Sequence, residues 1–141
     1  MPPIEQLRLT LKLDGANLTN PRLAVFDALR SNDPLTMSEL IARVGNKSDR
    51  ASVYRTTQLF EKLGIIQRLQ MGWKYKLELS DSFSPHHHHL LCLSCNKVIT
   101  IEEEKLLEQK INNIGKRHGF TATDHQLEIR GVCAQCQAKN V

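Results

Sequence analysis

Two Cys-x2-Cys pairs, Cys92 with Cys95 and Cys133 with Cys136, stand with 37 residues between them in a chain of 141. Their spacing restricts the fold more than any other feature. Two thiolates separated by two residues wrap one turn around a single ion at ~2.3 Å, and two such turns complete a tetrahedron. The chain after Cys95 must therefore leave and return to the same point, with room for one helix and one strand. Disulfides are disfavoured because Met1 to Asp14 has neither the basic start nor the apolar run of a secretory signal. A redox pair would not need two copies. A four-cysteine iron centre is the alternative to structural Zn2+, which is the expectation.

Directly before the first pair runs His86-His87-His88-His89. Neighbours in an extended segment point to opposite faces, so four imidazoles in sequence cannot serve one ion. His86 and His88 should share one side, His87 and His89 the other, and two separate metal sites follow. The plainer reading is a polar surface loop. A helix is expected over about residues 102–118, with Leu107, Ile111, Ile114 and His118 inward and Glu108 at the margin. A strand is expected from Phe120 to Val132, with His125, Leu127 and Ile129 on its inward face. Alone, His125 reads as a core histidine. With His86, His88 and Glu108 it completes three nitrogens and one oxygen, suited to Zn2+ or Fe2+. For the other side, Glu78 is the nearest carboxylate to His87 and His89.

Charge divides the chain in the same place. Residues 1–79 hold 12 Lys+Arg against 8 Asp+Glu, while residues 80–141 hold 7 of each. All four cysteines and all six histidines lie in the second part. This suggests a module at 1–79 for an anionic partner, a hinge at 80–85, and a metal-holding module at 86–141. The hinge sequence, Ser-Asp-Ser-Phe-Ser-Pro, breaks both periodicities.

The first module reads as helices followed by a hairpin. Ile4, Leu7 and Leu11 are helically spaced, and the segment ends at Asp14-Gly15. A second helix opens with Asn20 as N-cap and Pro21 behind it, burying Leu23, Phe26 and Leu29. Thr36 to Glu39 is a capping box opening a third helix through Leu40, Ile41 and Val44 to Gly45. After a tight turn, a fourth helix spans about Asp49 to Leu63, with Val53, Thr56, Phe60 and Leu63 inward. Arg50, Tyr54 and Gln58 fall at i, i+4, i+8 on another face, with Arg55 beside them. Strands at Ile65–Leu69 and Lys74–Leu79 complete the order of a winged helix-turn-helix.

No apolar run approaches the ~20 residues needed to span a bilayer. His-Glu-x-x-His, the zinc-deaminase signature and a nucleophile elbow are all absent, which argues against an enzyme.

Together these stretches resemble the ferric uptake regulator family of bacterial metal-dependent repressors. The likeness rests on Leu18-Thr19-Asn20-Pro21-Arg22, Ala51-Ser52-Val53-Tyr54-Arg55, the histidine run continuing through Cys92 and Cys95 to Ile99, and Gly131-Val132-Cys133-Ala134-Gln135-Cys136. The resemblance implies an α+β chain, with an N-terminal winged helix and a small C-terminal α/β dimerisation domain. It implies structural zinc on Cys92, Cys95, Cys133 and Cys136. It further implies a regulatory hinge metal, Fe2+ or Zn2+, on Glu78, His87 and His89, and a second site on His86, His88, Glu108 and His125. DNA contacts would come from Arg22, Arg50, Ser52, Tyr54, Arg55 and Gln58.

Two positions depart from the family pattern. Pro34 stands where the hinge site usually takes a histidine, and Thr100 where it often takes an acid. The second departure weakens a peroxide-sensing reading. The resulting expectation is a cytoplasmic homodimeric repressor of iron- or zinc-uptake genes, binding a palindromic operator, with no membrane partner or small-molecule substrate. A constitutive DNA-binding or docking protein holding only structural zinc, and a peroxide sensor of the same family, are the alternatives.

Overall fold

Short polar side chains open the second, third and fourth helices. The computed structural model describes residues 1–30 and 33–139, divided into two compact units, Met1–Pro85 and His86–Val141. In the first unit, α1 (Pro3–Leu13) leads to α2 (Asn20–Arg30), α3 (Met37–Val44) and α4 (Arg50–Lys62). The expected cap of α2 moves by one residue. Thr19, rather than Asn20, accepts a hydrogen bond from the Arg22 amide, at 3.4 Å. Either residue can cap, and the chain enters the helix at Asn20.

Thr36 and Glu39 form both halves of the capping box on α3. Gly45 closes that helix at φ 61°, a left-handed value that glycine adopts without a Cβ penalty. A short 3-10 turn, Gly45–Lys47, joins α3 to α4, and Asp49 caps α4 through the Ser52 amide.

The hairpin pairs β1 (Ile66–Met71) with β2 (Lys74–Leu79) in antiparallel register, Ile66 opposite Leu79 and Met71 opposite Lys74. An isolated bridge ties Leu35 to Leu77. The core is formed by Leu7, Leu11, Val25, Phe26, Leu40, Val53, Phe60, Ile65 and Leu77, all fully buried. On α2 the buried face is Val25, Phe26, Ala28 and Leu29, so Leu23 is only half-buried, contrary to expectation. On α4 Thr57 is buried as well as Thr56, while Leu63 sits half-buried at the C-cap.

The segment after β2 is pinned to this unit. The Ser80 hydroxyl donates to the Gly64 carbonyl at 2.7 Å, Gln6 donates to the Ser82 carbonyl, and Phe83 packs edge-on against Phe26.

The second unit is a three-stranded sheet in the order β4-β3-β5, formed by β3 (His87–Cys92), β4 (Val98–Glu102) and β5 (Glu128–Gly131), with α5 (Lys105–Arg117) and α6 (Ala134–Lys139). β3 is central, antiparallel to β4 and parallel to β5.

Several expectations for this unit are corrected. The last strand is limited to Glu128–Gly131 rather than beginning at Phe120. Its parallel register starts at His89 opposite Glu128, and β3 itself begins only at His87. Residues before about 126 therefore have no strand to pair with. α5 begins at Lys105, and none of its residues is fully buried. Leu107 and Ile111 are half-buried, whereas Ile114, His118 and Ile129 are exposed, so the inward stripes read from periodicity are incomplete here. α6, which the sequence reading did not include, carries Cys136.

Candidate metal centres and helix-turn-helix face

The pleat of β3 distributes the histidines. His86 and His88 lie on one side with rings 4.7 Å apart, and His87 and His89 lie on the other at the same separation. On the first side, Glu108 enters from the first turn of α5, where the helix dipole favours a negative charge. His125 comes from the unpaired chain preceding β5.

Three imidazole Nε2 atoms converge on this one carboxylate. His88 lies 2.6 Å from Oε1, His86 3.3 Å from Oε1, and His125 2.8 Å from Oε2. The Nε2 atoms of His86 and His125 are themselves 3.0 Å apart. Two neutral imidazoles cannot both present lone pairs to each other at that distance. Either a proton is shared between them or a cation takes both pairs. All four ligand atoms lie within 4.8 Å of one another, so the donor set fits a single divalent ion with three nitrogens and one oxygen.

Burial works to raise the Glu108 carboxyl's pKa. The hydrogen bond to His88 and the charges of His125, His86 and His88 outweigh it, and hold the group below the usual carboxylate range. His88 is 1% exposed, and its Nδ1 has no hydrogen-bond partner among the described residues. Metal-ligating imidazoles usually donate their second nitrogen to a carbonyl or carboxylate, and this ring departs from that habit.

The four cysteines gather from the end of β3, the turn after it, the exit of β5 and the first turn of α6. Sγ of Cys92 is 3.9 Å from Sγ of Cys136, and Cys95 is 3.8 Å from Cys133. Four sulfurs each ~2.3 Å from one centre stand about 3.8 Å apart, so this is the spacing of a tetrahedral zinc site. Backbone amides support the charge. Cys92 Sγ accepts N–H bonds from Cys133 at 3.3 Å and Cys95 at 3.5 Å, and these pull its thiol down to about 6. Asn96, at φ 63°, makes the left-handed bend that lets the first knuckle close.

In the first unit, Glu78 is 6% exposed and accepts a 2.8 Å hydrogen bond from Gln67. A period of two places Glu78 on the solvent side of β2, yet Leu77, Glu78 and Leu79 are all buried. A carboxylate is kept at such depth only with partners, which makes it a functional candidate.

Arg50, Tyr54, Arg55 and Gln58 are exposed on α4, and Ser52 is half-buried. A relay missed in the sequence orders this face. Asp49 accepts from the Ser52 amide, and the Ser52 hydroxyl accepts from the Arg55 guanidinium at 3.0 Å. The side-chain hydrogen bond with Ser52 lowers the Asp49 carboxyl's pKa. Arg22 donates to the Asn17 carbonyl at 2.6 Å, bracing the loop between α1 and α2. A guanidinium has five N–H donors, so others remain for a phosphate.

No helix among the described residues is long and apolar enough to cross a membrane. Residues 14–130 match the model of the ferric uptake regulator family. The chain is 34% identical over 131 residues to the ferric uptake regulation protein of Escherichia coli K12, covering 89% of this chain and 86% of that protein. It is 34% identical over 133 residues to the Legionella pneumophila protein of the same name, covering 90% and 96%. Among solved structures, the Helicobacter pylori ferric uptake regulator superposes with a TM-score of 0.78 at 26% identity, over 96% of this chain and 91% of that one. The Vibrio cholerae regulator does so at 0.71 and 31%, over 89% and 98%. With its basic helix-turn-helix and its two donor clusters of different chemistry, the chain belongs to the ferric uptake regulator family of metal-responsive transcription regulators.

Proposed function

We propose that this protein is a cytoplasmic, homodimeric repressor of iron-uptake genes that binds a palindromic operator when ferrous iron is plentiful. The observation that carries the reading is the burial of Glu78 together with the pairing of His87 and His89 on one side of β3, nitrogen and oxygen donors separate from the sulfur site. Thiolate donors favour Zn2+ over Fe2+, and all four cysteines are engaged with one another. On this reading Cys92, Cys95, Cys133 and Cys136 hold structural zinc that clamps α6 to β3. The regulatory ligands contain no sulfur and include carboxylates, and the curated relatives are named for ferric uptake.

We assign the DNA-linked regulatory site to Glu78, His87 and His89. Support comes from the burial of Glu78 on β2 and from the pairing of the two rings on one side of β3. Glu78 belongs to the first unit and the histidines to the second. An arrangement of the units that binds a cation more tightly at these ligands is then stabilised by it. If DNA selects the same arrangement, each ligand strengthens the other. The site on Glu108 ties β3, α5 and the segment before β5 together, and serves stability of the second unit first.

A second copy is supported by the second unit's own surface. Leu106, Ile114, Phe120, Ile129 and Val132 are all exposed, which is a large apolar share for 56 residues. Two copies related by a two-fold would read two half-sites through α4.

The test is fluorescence anisotropy of a labelled duplex, taken from the region upstream of the protein's own gene, titrated under anaerobic conditions. Protein retaining its cysteine-bound zinc should bind more tightly with added Fe2+. Binding that responds to added Zn2+ and not to Fe2+ would overturn the iron assignment.

A further inference from the structure

The buried carboxylate of Glu78 has a cross-strand neighbour that strand formation does not require. Gln67 on β1 stands directly opposite Glu78 on β2 in the antiparallel register. Its side-chain Nε2 donates to Glu78 Oε1 at 2.8 Å. Alternation along β1 groups Gln67 with Leu69 and Met71, which are both buried, while Gln67 itself is half-buried. A β-branched residue would suit such a strand face better, since it orders fewer rotors and leaves no amide to satisfy.

Chemistry fixes how this pair meets. An ionised carboxylate only accepts hydrogen bonds, so the NH2 end of the glutamine must face it and the carbonyl end must turn away. A donor held on Oε1 fixes the plane of the carboxylate, and with it the directions in which the oxygen lone pairs point. The donor is also neutral. A guanidinium or ammonium in its place would cancel the negative charge that a cation needs. The basic neighbour on β1, Arg68, lies on the other face by alternation and donates instead to Glu61 at 2.8 Å. The hairpin thus holds Glu78 in one orientation and leaves its charge intact, using groups of the first unit alone.

We propose that Gln67 is a positioning residue for the regulatory metal: it presets the Glu78 carboxylate for coordination before the ion arrives, and so sets how tightly the ligands Glu78, His87 and His89 take it. Outer partners of metal ligands act in this way by fixing the orientation of the donor, and their loss costs roughly ten- to hundredfold in metal affinity. This inference rests on the assignment of that site made above, and its experiment is arranged so that the two fail separately.

The probe is Co2+ alone, titrated into full-length protein that retains its cysteine-bound zinc and followed by its visible absorption, which reports both occupancy and ligand geometry. Every protein compared carries His125→Ala, so that any Co2+ taken by the remaining ligands around Glu108 is the same throughout. Gln67→Met keeps the length of the side chain and removes the donor. It should weaken Co2+ binding roughly ten- to hundredfold with the zinc content unchanged. Gln67→Val, a strong strand former without a donor, should do the same, which guards against a fault of folding peculiar to one variant. Glu78→Ala should weaken binding at least as much. Adding Gln67→Met to Glu78→Ala should then change nothing further, because the glutamine acts only through the carboxylate.

Co2+ binding by Gln67→Met and Gln67→Val as tight as in the parent, with Glu78→Ala weakened, overturns the proposal and leaves the site standing. A further loss of the same size when Gln67→Met is added to Glu78→Ala also overturns it, since the glutamine would then act through the fold and not through the carboxylate. If Glu78→Ala binds Co2+ as the parent does, the site assignment fails first and the role of Gln67 falls with it.

Discussion

Nε2 of His88 lies 2.6 Å from Oε1 of Glu108, joining the start of the second unit's central strand to the first turn of its long helix. One residue is 1% exposed and the other bears a carboxylate held below its ordinary pKa by burial-opposed hydrogen bonding and charge. The pair therefore couples the sheet, α5 and the His125 segment through charge.

The sign of that coupling is testable. A carboxyl whose folded pKa is lowered contributes stability that is present above its unfolded value, about 4.3. It is lost as pH falls through the lower folded value. In protein depleted of metal at both histidine sites but retaining its cysteine-bound zinc, Glu108→Gln should lower the melting temperature most above about pH 4.3. The gap to wild type should close under more acid conditions. A gap independent of pH would mean that the carboxylate charge contributes nothing.

The cysteine cluster makes a separate prediction. Thiolates crowded at 3.8 to 3.9 Å repel one another unless a cation lies among them. Cys95→Ser should lose tightly bound zinc and the dimer together, measured by elemental analysis alongside sedimentation. A stable dimer without zinc would contradict the structural role.

On α4, Arg55→Ala should weaken operator binding by about 1 to 3 kcal/mol if the side chain reads a base, and relax preference at one position per half-site. Ser52→Ala should act in the same direction but less, because it removes only the hydroxyl that orients the guanidinium. Full affinity and selectivity in a folded Arg55→Ala protein would exclude this helix as the reader.

What could be read from the sequence follows the range of the forces involved. The capping box at Thr36 and Glu39 and the glycine stop at Gly45 are local features, so short patterns reveal them. The two sides of the histidine run follow from the pleat alone. The cysteine knuckles are similarly local, and their long-range meeting follows from the coordination number. Four features were hidden. Strand β5 is short because its length depends on where β3 begins, which is a pairing property. Glu78 is buried although alternation assigns it to solvent. The apolar stripe of α5 was read as inward, but Ile114 is exposed in the single chain. The Asp49, Ser52 and Arg55 relay was hidden for a smaller reason, since it depends on rotamers that spacing does not specify.

The central claim is that metal and DNA binding are coupled through Glu78, His87 and His89, and operator affinity measured with and without Fe2+ tests it most directly. Wild type, His87→Ala and His125→Ala should be compared after confirming that each retains its cysteine-bound zinc. Fe2+ should tighten wild-type binding roughly 5- to 150-fold, the range of a coupling of about 1 to 3 kcal/mol. His87→Ala should lose most of that gain, while His125→Ala should lower thermal stability or dimer strength and keep the greater part of it. Loss of the metal response in His125→Ala, with His87→Ala responding as wild type does, would contradict the assignment and place the sensor on Glu108.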